Sequence, residues 1–296
     1  MQELSFHNIT TDPISDPLFI KKNIEVSVLR LDKIHPVISG NKWFKLQSYL
    51  QEAKRLQKKI IVTFGGAWSN HIVATAAACK QNELNSIGII RGEEADDLSP
   101  TLLSAKEYGM KLYFISREDY KTKKIPLELQ SEENYFIPEG GYGKKGADGA
   151  SGILDHCEKK NFTHFLCASG TGTMLAGLVN SITPGQSVTG ISILKNNFEL
   201  EGSVRSLLND PTKNFSIFHD YHFGGYAKHT LELISFMNQF YRQTDIPSDF
   251  VYTGKLFFAI HDLINKNFFP SGSRLLIIHS DGLQGNASLP KGTLIF

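Results

Sequence analysis

Cysteine is scarce: the 296-residue chain holds three, Cys79, Cys157 and Cys167. Odd in number and far apart, they build neither a disulfide framework nor a Cys-x-x-Cys metal knuckle, which points to a reducing, cytoplasmic setting. Charge of one sign is lacking too. Lys+Arg 31 against Asp+Glu 30 leaves +1, so no basic field attracts nucleic acid or anionic lipid. No apolar run approaches the ~18 residues of a membrane span, and the opening Met1–His7 shows neither the basic nor the apolar part of a signal peptide. His-Glu-x-x-His and Gly-x-Ser-x-Gly are absent, which disfavours metal and serine hydrolysis, and no metal is expected. Neither internal repeats nor low-complexity tracts occur. What remains is ordinary globular composition, 41% hydrophobic and 21% charged. At ~100–200 residues per domain the length favours two domains. A small-molecule ligand is expected.

Hydrophobic periodicity gives the organisation. Trp43, Leu46, Leu50 and Ala53 recur at helical spacing from Lys42 to about Leu56. Ile60–Phe64 reads as a buried strand stopped by Gly65-Gly66, and Ser69-Asn70 caps a helix rich in alanine, Ile72–Cys79. A strand (86–90), a helix (102–108) and a strand (111–115) follow. Glu139–Gly152 carries six glycines and reads either as a crossing between domains or as a mobile lid. Beyond it the alternation resumes, with strands at 163–168, 188–194 and 274–279 and helices at 174–180, 231–241 and 255–266. Alternation at this pitch predicts right-handed βαβ units, hence an α/β protein of two doubly wound parallel-sheet halves.

Chemistry concentrates at strand ends. Ser169-Gly170-Thr171-Gly172-Thr173 lies between a strand and a helix, where backbone N–H groups and the helix N-terminus suit a phosphate. The same turn also reads as a plain capped strand–helix junction. It is no Walker loop, and Leu175 stands where a dinucleotide fingerprint needs its third glycine. Lys42 sits at a helix start, where the dipole disfavours a cation, and Lys45 lies one turn on along the same face. A solvated lysine tolerates this place, and one held as an imine has a reason for it. In Gly65-Gly66-Ala67-Trp68-Ser69-Asn70-His71, the histidine at a helix start is expected to be neutral. Tyr226 and Tyr252 occupy glycine-flanked loops, where a phenol moves protons or simply covers surface.

Taken in order, five segments resemble one family. They are Ser39-Gly40-Asn41-Lys42-Trp43-Phe44-Lys45-Leu46, Gly66-Ala67-Trp68-Ser69-Asn70-His71, Ile137-Pro138-Glu139-Gly140-Gly141, Ala168-Ser169-Gly170-Thr171-Gly172-Thr173 and Val251-Tyr252-Thr253-Gly254-Lys255. Their order and spacing resemble the aminocyclopropane-carboxylate deaminase / D-cysteine desulfhydrase group of pyridoxal-phosphate enzymes, over about residues 38–285. The resemblance implies the tryptophan-synthase-β fold (fold type II) with pyridoxal 5'-phosphate between a large domain, 1–45 with 153–296, and a small one, 46–152. It implies Lys42 as the Schiff-base lysine and carrier of the Cα proton. Asn70 would bond the cofactor's phenolic oxygen, Lys45 and Ser169–Thr173 its phosphate, and Thr253 would face its ring nitrogen. Ser69 would take the substrate carboxylate, with Asn70, His71, Ser280 and Asp281 also lining the substrate site and Tyr226 and Tyr252 over it. The family is typically a homodimer.

Departures from the pattern are informative. Leu29-Arg30-Leu31-Asp32 replaces a Lys-Arg-Asp/Glu-Asp run, Ser39 replaces a glycine, and Trp43-Phe44 alters the expected pocket wall. A His-x-Gly-Gly pattern has become His279-Ser280-Asp281-Gly282, placing a carboxylate beside the site. The ring-opening branch resembles Val-Tyr-Glu-Gly-Lys, with a glutamate that keeps the ring nitrogen protonated. Thr253 does not compel that, and Ser280 stands where that branch has leucine. The resemblance therefore implies α,β-elimination from a small amino acid, D-cysteine by analogy, to a 2-oxo acid and ammonia. Cyclopropane-carboxylate deamination is the alternative. A non-catalytic phosphate-ligand binder is the rival of another class.

Overall fold

Short runs dominated by apolar residues suit strands covered on both faces, and the computed structural model, which describes residues 4–38 and 40–296, builds two largely parallel sheets from them. In the order of the chain, β1 (Thr11–Ile14), α1 (Pro17–Lys22) and β2 (Glu25–Arg30) lead to α2 (Asn41–Arg55). The small sheet follows, with β3 (Ile60–Gly65), α3 (Asn70–Gln81), β4 (Asn85–Arg91), α4 (Pro100–Glu107), β5 (Lys111–Ile115), α5 (Arg117–Thr122) and β6 (Asn134–Ile137). Then come α6 (Lys144–Ser151), β7 (His164–Ser169), α7 (Thr173–Ser181), β8 (Ser187–Ser192), α8 (Leu200–Arg205) and β9 (Ser216–Phe218). Helices α9 (Leu231–Thr244) and α10 (Thr253–Asn265) precede the last strand, β10 (Arg274–His279).

The large sheet runs β1-β2-β10-β7-β8-β9 and the small one β5-β4-β3-β6. All pairs are parallel except β1 with β2. Strand β1 carries Pro13, and an edge is where a residue without an N–H does least harm to a ladder. Strand β10, Arg-Leu-Leu-Ile-Ile-His, is buried from its second residue on and pairs with both β2 and β7. The α/β class with two parallel-sheet units is therefore as expected.

Elements expected from periodicity stand within three residues of their places. Those it missed are short or sit early in the chain: β1, α1, β2, β6, α5, α8 and β9. The glycine-dense stretch 139–152 is neither bare linker nor lid. The chain does pass through it from β6 to β7, but as buried helix α6 wedged between α2 and α7. A Cβ on Gly149 would stand 1.9 Å from the Phe44 carbonyl oxygen, and one on Gly146 2.0 Å from that of Gly141. These glycines permit close helix contact rather than motion. Phe44 corrects another expectation. Two residues past Lys42 it turns away from that face and enters the core, edge-to-face with His156 at 5.4 Å, so it packs the interior instead of lining a pocket. Ser39 lies outside the described residues.

Candidate active site

Parallel strands deliver their following loops to one edge, and ligands of such sheets gather there. Four of these loops and the start of α2 converge on Lys42. Gly40, ahead of α2, has φ +60° and ψ −142°, and a Cβ there would lie 2.0 Å from the Ser280 carbonyl oxygen and 2.8 Å from Asp281 Cβ. The backbone after β10 thus presses onto the start of α2, which brings Ser280 and Asp281 beside Lys42. Asp281 itself holds a left-handed backbone, φ +59°, and its carboxylate accepts from the Leu283 N–H at 3.2 Å.

Lys42 is half-buried. Its Nζ donates to Asn41 Oδ1 at 2.9 Å and lies 5.7 Å from the centre of the Tyr252 ring. Burial lowers its pKa, and Asp281 and Asp249 oppose that shift without cancelling it. Lys45 is buried with no hydrogen-bond or ion-pair partner among the described residues. Burial, reinforced by Lys42, holds its pKa well below the ordinary lysine range.

Opposite them, Ser69 caps α3 by accepting from the Ile72 N–H at 3.4 Å, and Asn70 opens that helix with its Oδ1 buried and unpartnered. His71 Nε2 meets the Thr63 hydroxyl at 2.9 Å, whereas its Nδ1 is buried and unpartnered. Burial, then the charges of Lys45 and Lys42, brings His71 down to about 3, so the imidazole is neutral as expected. The Ser169–Thr173 turn enters α7 through Gly172 at φ +80° with no side chain capping the helix. The Thr171 and Thr173 hydroxyls are 3.0 Å apart. The two units meet here: a Cβ on Gly140 would stand 3.2 Å from Thr171 Cγ2, and one on Gly141 3.2 Å from Lys45 Cβ.

Tyr226 and Tyr252 meet edge-to-face, with ring centres 6.2 Å apart. Burial raises both phenols. Thr253 is fully buried, and Asp249 engages its hydroxyl twice: Oγ1 donates to Oδ1 at 2.7 Å and accepts from the Asp249 N–H at 2.8 Å. The same carboxylate accepts from the N–H groups of Val251, Tyr252 and Thr253.

Asp249 escaped the sequence reading, and so did the buried contacts of Lys255 with the His222 and Gly225 carbonyls. Neither sits at a strand end or beside paired glycines, the signals that drew attention elsewhere. In Leu29-Arg30-Leu31-Asp32 the two residues that keep the expected pattern, Arg30 and Asp32, prove structural. Arg30 forks onto Asp32 at 2.9 and 2.7 Å, and Asp32 meets His279 Nδ1 at 3.3 Å, tying the ends of β2 and β10 beneath the site. Burial pushes Asp32 up, but His279 and Arg30 win and leave it lowered.

The unpaired Lys45 amine and the uncapped start of α7 suit an anion, and the orphaned Asn70 Oδ1 on the facing wall suits a donor, all beside Lys42. A pyridoxal-phosphate enzyme model matches residues 15–281. The chain belongs to the pyridoxal-phosphate-dependent enzymes. It is 27% identical over 281 residues to a Pyrococcus horikoshii protein provisionally named 1-aminocyclopropane-1-carboxylate deaminase, covering 88% of this chain and 85% of that one. It is 28% identical to the Arabidopsis thaliana mitochondrial bifunctional D-cysteine desulfhydrase/1-aminocyclopropane-1-carboxylate deaminase, over 88% of this chain and 73% of that protein. The crystal structure of an ACC deaminase homologue superposes with a TM-score of 0.80 at 26% identity, covering 94% and 90% of the two chains. The resemblance to that group and to fold type II is borne out. This pyridoxal-phosphate enzyme shows no candidate metal cluster among its described residues, and no helix among them is long and apolar enough to cross a membrane. Cys79 and Cys167 are buried and raised to about 12, and Cys157 to about 11, so none supplies a thiolate nucleophile.

Proposed function

We propose that the enzyme removes the Cα proton and the β-substituent of a small amino acid, releasing a 2-oxo acid and ammonia, with D-cysteine as the leading substrate. The observation that carries this reading is the amine of half-buried Lys42, lowered in pKa by burial and set against the Tyr252 ring. The unpaired Lys45 ammonium, the Thr171 and Thr173 hydroxyls and the first N–H groups of α7 are suited to the cofactor phosphate. Asn70 Oδ1 is free to meet a polar group on the ring. When bound, pyridoxal phosphate supplies the electron sink for charge developing at Cα.

The chain's own groups do the rest. Ser69 and the N-terminus of α3 orient a carboxylate. A lysine whose pKa is drawn down is a stronger candidate for taking the Cα proton at neutral pH than one at its ordinary value. Tyr252, raised well above 10, keeps its proton and is available to donate to the departing group, with Tyr226 steadying it. His71 stays neutral and acts as a wall. Asp281 adds negative charge near Lys42, which disfavours a substrate with a second carboxylate.

One observation favours the ring-opening alternative. Asp249 places a fully buried carboxylate one hydrogen bond behind Thr253, so negative charge is not absent from that wall. Product analysis separates the two: pyruvate with sulfide from D-cysteine supports elimination. 2-Oxobutanoate from aminocyclopropane-carboxylate, with no product from D-cysteine, reverses the assignment. A homodimer, and domain boundaries at 46 and 152, are further parts of this proposal, open to sedimentation and limited proteolysis.

A further inference from the structure

Residues 219–230 join β9 to α9 without regular structure, and Phe223, Gly224, Gly225 and Ala227 all have positive φ, from +50° to +118°. Two of these are not glycine, so the loop holds a costly backbone and needs an outside restraint. Lys255 reaches it from the first turn of α10. That lysine is 0% exposed, and its Nζ donates to the carbonyl oxygens of His222 and Gly225, each at 2.8 Å. The same two carbonyls close the loop's own turns, accepting from Gly225 N–H at 3.0 Å and Lys228 N–H at 3.2 Å. Tyr226 is the next residue, and its ring lies on Tyr252.

We propose that Lys255 is a positioning residue that clamps the 222–225 turns and so holds Tyr226 against Tyr252 over the active site. No carboxylate pairs with this ammonium among the described residues; two carbonyl dipoles meet it. A methionine would fill the same volume without burying a charge, so packing alone does not account for a lysine here. The clamp also has a pH limit. Burial lowers Lys255 to about 8, with Asp249 opposing. The other ionisable groups around the turns are Lys195, beside Gly225, Tyr252 against Tyr226, and, within the loop itself, His219, Asp220, Tyr221, His222, Tyr226, Lys228 and His229.

The proposal rests on the reading that Tyr226 serves the active site, and the test separates the two. Chymotrypsin cleavage at Phe223 and Tyr226 is followed in the cofactor-free full chain, corrected for protease activity on a free peptide. Lys255→Met is expected to raise the cleavage rate at least about tenfold at pH 7, because cleavage tracks the open population. Wild type is expected to rise between pH 7 and 9 while Lys255→Met stays flat. Cleavage unchanged in both the variant and the wild-type pH series overturns the clamp whatever the enzyme catalyses, and the wild-type series decides alone if the variant misfolds. In the holoenzyme, kcat is expected to fall at least about fivefold in Lys255→Met but less than about twofold further when Tyr226→Phe is already present. Full additivity of the two losses would show that Lys255 does not act through Tyr226.

Discussion

His71 and Lys45 illustrate what it costs to build this site. The imidazole is held to about 3 by burial and two neighbouring ammonium groups, while the unfolded chain protonates near 6.5. Between those values the unfolded state binds the extra proton, so stability from this group is complete above pH 6.5 and lost as pH falls towards 3. The full difference corresponds to at most roughly 5 kcal/mol. Chemical denaturation between pH 7 and 4 is expected to show falling stability with a shallower slope in His71→Gln; equal slopes would remove His71 from the account. Lys45 is buried without a partner among the described residues, and in the proposed function it meets the cofactor phosphate. Lys45→Met should therefore stabilise the cofactor-free protein by about 1–2 kcal/mol and weaken pyridoxal-phosphate binding by at least about tenfold. Calorimetry and a fluorescence titration test these opposite signs together. Residues of this kind were legible in the sequence because each stands at a strand end or helix start among glycines. Asp249 and the contacts of Lys255 were not, because a loop carboxylate outside any motif and a lysine closing one acquire their partners, Thr253 and His222, only through folding.

At the scale of elements, periodicity exposed the long helices and the strands flanking the site, and the structure explains where it failed. Strand β6 has four residues and β9 three, too few for a pattern to emerge. Strand β2 alternates at its start and then buries its end, so its signal blurs halfway. The density of glycine around α6 looked like looseness and proves to be tightness. Gly149→Ala is expected to destabilise the fold by about 2–4 kcal/mol, since the new methyl overlaps the Phe44 carbonyl. Gly202→Ala, in a helix where a Cβ meets nothing within 4 Å, is expected to be neutral or to stabilise by up to about 1 kcal/mol. Thermal melts of the pair check this. Equal losses would mean that close packing at α6 is not what its glycines provide.

Across the whole molecule, neither sheet makes the site alone. The small sheet contributes Ser69, Asn70 and His71 after β3 and the 139–141 turn after β6. The large sheet contributes the 169–173 turn after β7 and Ser280 and Asp281 after β10, and the start of α2 lies between them. The tight approaches of Gly140 to Thr171 and of Gly40 to Ser280 hold those parts in register. That the chain forms two parallel units was readable from its βαβ alternation. Which ends would face each other was not, because it depends on contacts such as Gly141 with Lys45 and Gly40 with Ser280, between residues far apart in the chain. The account stands on Lys42 as the covalent attachment point. Protein saturated with pyridoxal phosphate, reduced with borohydride and digested should carry a pyridoxyl mass on the peptide containing Lys42 and lose its imine absorbance. Label on Lys45 or Lys255 instead, or no label on any lysine, would contradict it.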